Sequence, residues 1–174
     1  MSGRLPQTVQ PERLAETGAV LRGSVSLGSM TRLATYLYDA EGGVEVELAF
    51  GIDEQGIKYT TGRIQAVLHL ICQRCLQSLK YPLDVETTLG LVRPEEAPRL
   101  PEGYEPLIFE EPSVDLARIV EDELILALPI VPMHAPNECQ VRAEPAPNDQ
   151  AGTDRGDDER RPFAQLADLM KKQK

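Results

Sequence analysis

Residues 42–53 read GGVEVELAFGID, and they decide the fold class. Val44, Val46, Leu48 and Phe50 alternate with Glu45, Glu47 and Ala49, the period of two that gives a strand one buried and one wet face. Working outward, residues 53–58 (DEQGIK) read as a turn, and residues 57–72 (IKYTTGRIQAVLHLIC) carry a β-branched and apolar run interrupted by Gly62. That run reads either as two strands or as one long strand with a bulge. Residues 81–92 (YPLDVETTLGLV) alternate again, with Leu83, Val85, Thr87 and Leu89 on one side. Consecutive strands joined by short connections predict a central antiparallel, curled sheet.

Helices are few and short. PERLAETG, from Pro11 to Gly18, predicts a helical turn that proline can open and glycine can close, followed by a strand at AVLRGSVSL. SMTRLATYLYD, from Ser29, spaces Met30, Leu33, Ala34 and Leu37 as a helix would. The clearest helix is DLARIVEDELILALP: Asp115 can cap it, Leu116, Ile119, Val120, Leu124 and Ala127 form its apolar stripe, and Pro129 stops it. Between sheet and helix, residues 93–113 are rich in proline and glutamate and predict a connector with an edge strand at EPLIFE. The fold class expected is therefore α+β, in one domain over residues 1–140. Residues 141–161, rich in Pro, Asp, Gly and Asn, predict a disordered linker, and residues 162–174 a short amphipathic segment, together a flexible C-terminal arm.

The chain has 174 residues, 41% of them hydrophobic, enough for a real core without disulfides. Three cysteines and no basic-then-apolar leader predict a reducing, cytoplasmic setting. No apolar run approaches the roughly 20 residues of a membrane span. A net charge of −10 opposes bulk attraction to a polyanion, but the charge is uneven. Lys58, Arg63, Arg74, Lys80 and Arg93 cluster in the strand region and are the candidates for a local nucleic-acid contact, against the reading of ordinary strand-surface charge. Residues 95–123 are dominated by acids.

All three cysteines fall into one pattern. Cys72 and Cys75 form C-x2-C at the end of a strand, and His134 and Cys139 form H-x4-C after the helix stop. Thiolate and imidazole at such spacings suit tetrahedral zinc, so Cys72, Cys75, His134 and Cys139 predict a structural Cys3His site clamping the hairpin to the segment after the helix. Two buried thiols beside an unrelated loop histidine remain the plain alternative. His69 competes as fourth ligand, but on a continuous strand it points away from the face of Cys72. A redox reading of CQRC needs a helix N-terminus or a fixed cation and finds only Arg74 nearby. Glu121, Asp122 and Glu123 fan around the helix with Arg118 three and four positions before the first two, which predicts a solvated, ion-paired face rather than acid–base catalysis. No phosphate loop, nucleophile elbow or paired-histidine motif is present, and none points to a small-molecule substrate.

CQRC after a strand, then LPEGYEPL, then VEDELILALPIVPMH with Cys139 five residues beyond the histidine, together resemble the YceD family of large-ribosomal-RNA-accumulation proteins. The likeness runs from about Val44 through Cys139, and PFAQLADLMKK resembles the family's tail. Tyr104, Leu128, Pro129 and Pro132 belong to the matching positions. The resemblance implies a small, non-enzymatic bacterial cytoplasmic factor supporting synthesis, processing or accumulation of 23S ribosomal RNA, with no catalytic residues to carry over. Its partner would be a 23S rRNA precursor, or a large-subunit ribosomal protein or assembly factor reached through Glu121, Asp122 and Glu123 or through Phe163, Leu166 and Leu169. The rival reading is an RNA-processing enzyme or C-x2-C redox protein acting on assembly intermediates.

Overall fold

The computed structural model describes residues 3–141. The proposed linker beyond Val141 and the segment at 162–174, with Phe163, Leu166 and Leu169, lie outside the described residues. In chain order the elements are β1 (Gly3–Arg4), β2 (Thr8–Val9), α1 (Pro11–Thr17), β3 (Val20–Ser26), β4 (Leu37–Asp39), β5 (Gly43–Ile52), β6 (Lys58–Ile71), β7 (Ser78–Val92), β8 (Glu105–Ile108), β9 (Val114–Asp115) and α2 (Leu116–Leu126). The fold is α+β.

The expected strands form, but the sheet is mixed rather than purely antiparallel. Its order is β1-β3-β5-β6-β7-β8, with β4 pairing β6 off that path, and β2 pairs β9 separately. The centre, β3 through β7, is antiparallel, whereas β1 joins β3 and β8 joins β7 in parallel. Long connections cause this: residues 93–104 carry the chain back along β7 before β8 begins, so the edge strand enters in the same direction.

Alternation governs the central strands. Val44, Val46, Leu48 and Phe50 of β5 are buried, and across the ladder Val44 faces Ala66 and Val46 faces Ile64. β6 is one unbroken strand without the bulge considered at Gly62, because its register with both β5 and β7 is continuous. Glycine is needed there for another reason: a Cβ on Gly62 would lie 2.0 Å from the Glu47 carbonyl oxygen. β6 outruns β5, and its last residues, His69 and Leu70, pair with β4 instead.

α1 forms as predicted, with Pro11 in its first turn and Gly18 closing it at φ 61°. The helix expected over Ser29–Leu37 is replaced by 3-10 turns at Leu27–Ser29 and Leu33–Tyr36, then β4. Leu27, Met30, Leu33 and Leu37 are buried as a helical stripe would be. However, the N–H groups of Arg32 and Leu33 donate to the Glu121 carboxylate rather than to helix carbonyls. α2 is capped by Asp115, which accepts from the Ala117 N–H at 2.9 Å. Its Leu116, Val120 and Leu124 share one core with Leu48, Ile64, Leu68 and Leu70 of the sheet. Among the described residues no helix is long and apolar enough to cross a membrane.

Candidate metal centre

The β6–β7 hairpin turns through Cys72–Gln77. The Cys72 N–H donates to the Gln77 carbonyl at 3.0 Å and the Leu76 N–H to the Cys72 carbonyl at 2.8 Å, with Leu76 held at φ 58°. A bulky residue in the left-handed region marks a tight knuckle whose shape is imposed from outside. That shape turns Cys72 and Cys75 toward the same side.

Pro129 and Pro132, which cannot continue α2, lead the chain back to this knuckle. There the Gln73 N–H donates to the Pro132 carbonyl at 2.9 Å, fixing the two segments side by side. A turn follows in which the N–H groups of Glu138 and Cys139 both donate to the Ala135 carbonyl, at 3.0 and 3.1 Å, and it swings Cys139 inward. One donor atom from each of Cys72, Cys75, His134 and Cys139 then lies within 4.8 Å of all the others.

The details fit a tetrahedral ion. The Cys75 Sγ to His134 Nδ1 distance is 3.4 Å, close to the roughly 3.5 Å that separates a thiolate and an imidazole bound to one zinc at usual bond lengths. His134 Nε2 lies 3.0 Å from the Ser78 carbonyl, so that nitrogen donates its proton outward and Nδ1 presents a lone pair to the sulfurs. Burial raises the Cys72 thiol, but N–H donors of His134, Cys75 and Arg74 and the Cys75 thiol outweigh it and bring it down to about 5. Contact with Cys72 and Cys75 pushes His134 up. A thiolate ready at neutral pH is what a metal ligand requires. Cys72 and Cys139 are buried, Cys75 and His134 half-buried, and no disulfide links the three thiols.

His69 is not part of the cluster. Its Nδ1 meets Asp39 Oδ2 at 2.8 Å on the sheet, as expected from its strand face.

The acidic triplet departs from expectation. Glu121 and Glu123 are buried rather than solvated, and the cation is Arg32, not Arg118. Glu121 accepts from the N–H groups of Arg32 and Leu33 at 2.7 and 2.9 Å and from the Arg32 guanidinium at 2.9 and 3.1 Å, while Asp122 meets that guanidinium at 2.7 Å. Sequence reading missed Arg32. Its signal was faint, since a basic residue 89 positions away says nothing about which acid it faces.

The basic residues are dispersed. Lys58 pairs with Glu16 at 2.7 Å, Arg63 grips Asp84, and Arg93 meets Glu12 at 3.3 Å while lying 4.7 Å from the Phe109 ring centre. Arg74 points to the Met133 sulfur at 3.8 Å, and Lys80 stands opposite His69 with no ion pair among the described residues. Tyr104, one of the motif positions, donates to Asp53 at 2.9 Å and tethers the connector to the β5–β6 turn.

Comparison with known proteins places the chain in a family. Residues 60–170 match the family model described as large ribosomal RNA subunit accumulation protein YceD. The chain is 38% identical over 143 residues to a protein of that name from Haemophilus influenzae, covering 81% of this chain and 82% of the relative. No solved structure matches it.

Proposed function

We infer the role of this chain from one premise: it belongs to the YceD family of large ribosomal RNA subunit accumulation proteins. It supports accumulation of large-subunit ribosomal RNA, acting in the cytoplasm as a non-enzymatic factor on the synthesis or processing of the 23S species. The family match over most of the chain carries this reading.

Cys72, Cys75, His134 and Cys139 hold a zinc ion, and the observation that carries this is the convergence of their donor atoms within 4.8 Å from two segments far apart in sequence. The ion's role is structural: four protein ligands leave no open position for a reacting water. His134, oriented by the Ser78 carbonyl, and Cys139, oriented by its turn, join the chain after α2 to the hairpin. Glu121, saturated by Arg32 and two backbone N–H groups, is poorly placed to trade protons, which weighs against an RNA-processing enzyme centred on the helix. Where the protein touches rRNA directly, Arg74 and Lys80 make the contact, since Lys58, Arg63 and Arg93 are each committed to an acid.

Removing the protein from cells is expected to lower 23S rRNA relative to 16S, with recovery on complementation; an unchanged ratio overturns the role. Protein purified without chelator is expected to carry one zinc per chain, and metal-free protein with three freely titrating thiols overturns the site.

A further inference from the structure

The two buried acids of α2 differ in one respect that matters for recognition. Glu121 is saturated with donors. Glu123, only 8% exposed, has no ion pair among the described residues. Burial raises its carboxyl; Thr87 offsets part of that rise, and Glu105 and Asp122 add to it through like charge. Beside it the Thr87 hydroxyl, on a residue 7% exposed, completes no hydrogen bond of full geometry. A buried carboxylate is ordinarily held by a cation or several donors, whereas Glu123 has the Thr87 hydroxyl beside it and no cation among the described residues, so the pair marks a place for a donor that comes from elsewhere.

That place is open to solvent. A cavity of about 500 Å³ separates β7 from the end of α2, with Thr87, Glu86, Glu105, Glu123 and Leu126 on its wall; every charged group there is acidic. Leu126 is 75% exposed and can cover the aliphatic stem of a long cationic side chain. The ligand-spaced metal cluster found among the described residues is the Cys3His group, not these acids.

The guest must therefore carry positive charge, several donors and a stem. Next to the cavity runs β8, which among the described residues pairs with β7 alone and bears Glu105. Pro106 carries no N–H and thins the exposed ladder, the usual guard against indiscriminate pairing, so selection falls to charge. Residues 95–123 contain ten acids against Arg99 and Arg118, a field that attracts a basic polypeptide and repels RNA.

We propose that this cavity takes an arginine side chain presented by an extended, basic segment of a protein partner. The planar guanidinium donates to the Glu123 carboxylate and to Thr87 Oγ1 at once, which a lysine does less completely. The assignment names the partner chemistry behind the proposed role and rests on it for the partner's setting.

The test uses the full-length, metal-loaded chain and a fluorescent peptide of alternating arginine and valine, followed by anisotropy, with lysine–valine and glutamate–valine peptides and a single-stranded polyuridine for comparison. The arginine peptide is expected to bind more tightly than the lysine one, the glutamate peptide not at all, and the RNA not at this cavity, so that any RNA binding is unchanged by E123Q. E123Q is expected to weaken binding about tenfold or more, E105Q several-fold, and E54Q, at the remote β5–β6 turn, to leave it unchanged. Equal affinity of E123Q and wild type overturns the proposal. So does an equal loss in E54Q, which would mean diffuse charge, or binding of RNA in place of peptide. E105Q, at an exposed position, keeps the test valid should E123Q not fold. A chain that restores 23S rRNA yet ignores the peptide overturns this inference alone, and one that binds the peptide yet restores nothing overturns the role alone.

Discussion

Glu121 and Glu123 stand two positions apart, and their opposite surroundings give opposite responses to charge removal. Burial raises the Glu121 carboxyl, but N–H donation from Leu33 and Arg32 and the Arg32 guanidinium outweigh it, leaving it below the ordinary value of 4.5. Its contribution to stability is therefore complete above pH 4.5 and fades as pH falls through the lower folded value. Glu121→Gln is expected to cost about 2–3 kcal/mol at neutral pH, with a smaller difference from wild type in acid, read by urea denaturation across a pH series. For Glu123 the folded value is raised, so its ionised form is a burden that grows as pH rises through that value and is absent in acid. Glu123→Gln is expected to gain on the order of 1 kcal/mol at neutral pH and nothing in acid, visible as a higher melting temperature. A melting temperature that fell equally at both pH values would mean that the carboxylate has a stronger partner than the Thr87 hydroxyl. Helical spacing alone could say that the triplet fans out. It could not say which acids turn inward, because the only cation that decides it, Arg32, comes from a distant turn.

What local pattern can specify was legible, and the strands show why. Val44 to Phe50 alternate because one face of β5 is buried, and that face is written in the residues themselves. α2 was legible for the same reason, down to the Asp115 cap. By contrast, the turn-rich stretch from Leu27 to Tyr36 kept the apolar spacing of a helix while its backbone donors went to Glu121, a competition no window of sequence contains. The parallel entry of β8 likewise depends on where a twelve-residue connector returns, not on the residues of the strand. Gly62 illustrates the limit most sharply, since the sequence suggests either a break between two strands or a bulge, and the structure shows an approach of the neighbouring strand too tight for a side chain. Gly62→Ala is expected to cost about 3 kcal/mol or more, with amide exchange accelerated at Thr61–Arg63 and across β5. Gly56→Ala, in the β5–β6 turn at φ 83° with open space around its Cα, has only backbone strain to bear and is expected to cost about 1 kcal/mol. Similar losses for the two would place the constraint at Gly62 in its backbone angles rather than in the contact with Glu47.

At the proposed metal centre two distant stretches of chain come together, 59 positions separating Cys75 from His134. The grouping of Cys72, Cys75, His134 and Cys139 was readable because the pattern uses every cysteine; the hydrogen bond of His134 to the Ser78 carbonyl was not, since it depends on where β7 starts. None of the four ligands belongs to the apolar cluster that joins the sheet to α2. A metal bound there would therefore tether the segment after α2 to a domain that has a core without it, unlike a small zinc finger, whose fold is the metal site. This separates two outcomes. If the tether is all the ion supplies, chelation is expected to expose the amides of Gln73 and Cys139 to rapid exchange, while Leu48 and Ile64 in the central strands stay protected. The melting temperature should fall as a bound ligand's mass action dictates, about 4 kcal/mol of stabilisation when free metal exceeds its dissociation constant a thousandfold. Cys139→Ser should reproduce that exchange pattern without chelator and abolish the visible absorption that cobalt shows in a tetrahedral thiolate site. Collapse of protection in β5 and β6 on chelation would instead make the ion part of the folding nucleus, and the sheet, for all its alternation, would be unable to hold its register alone.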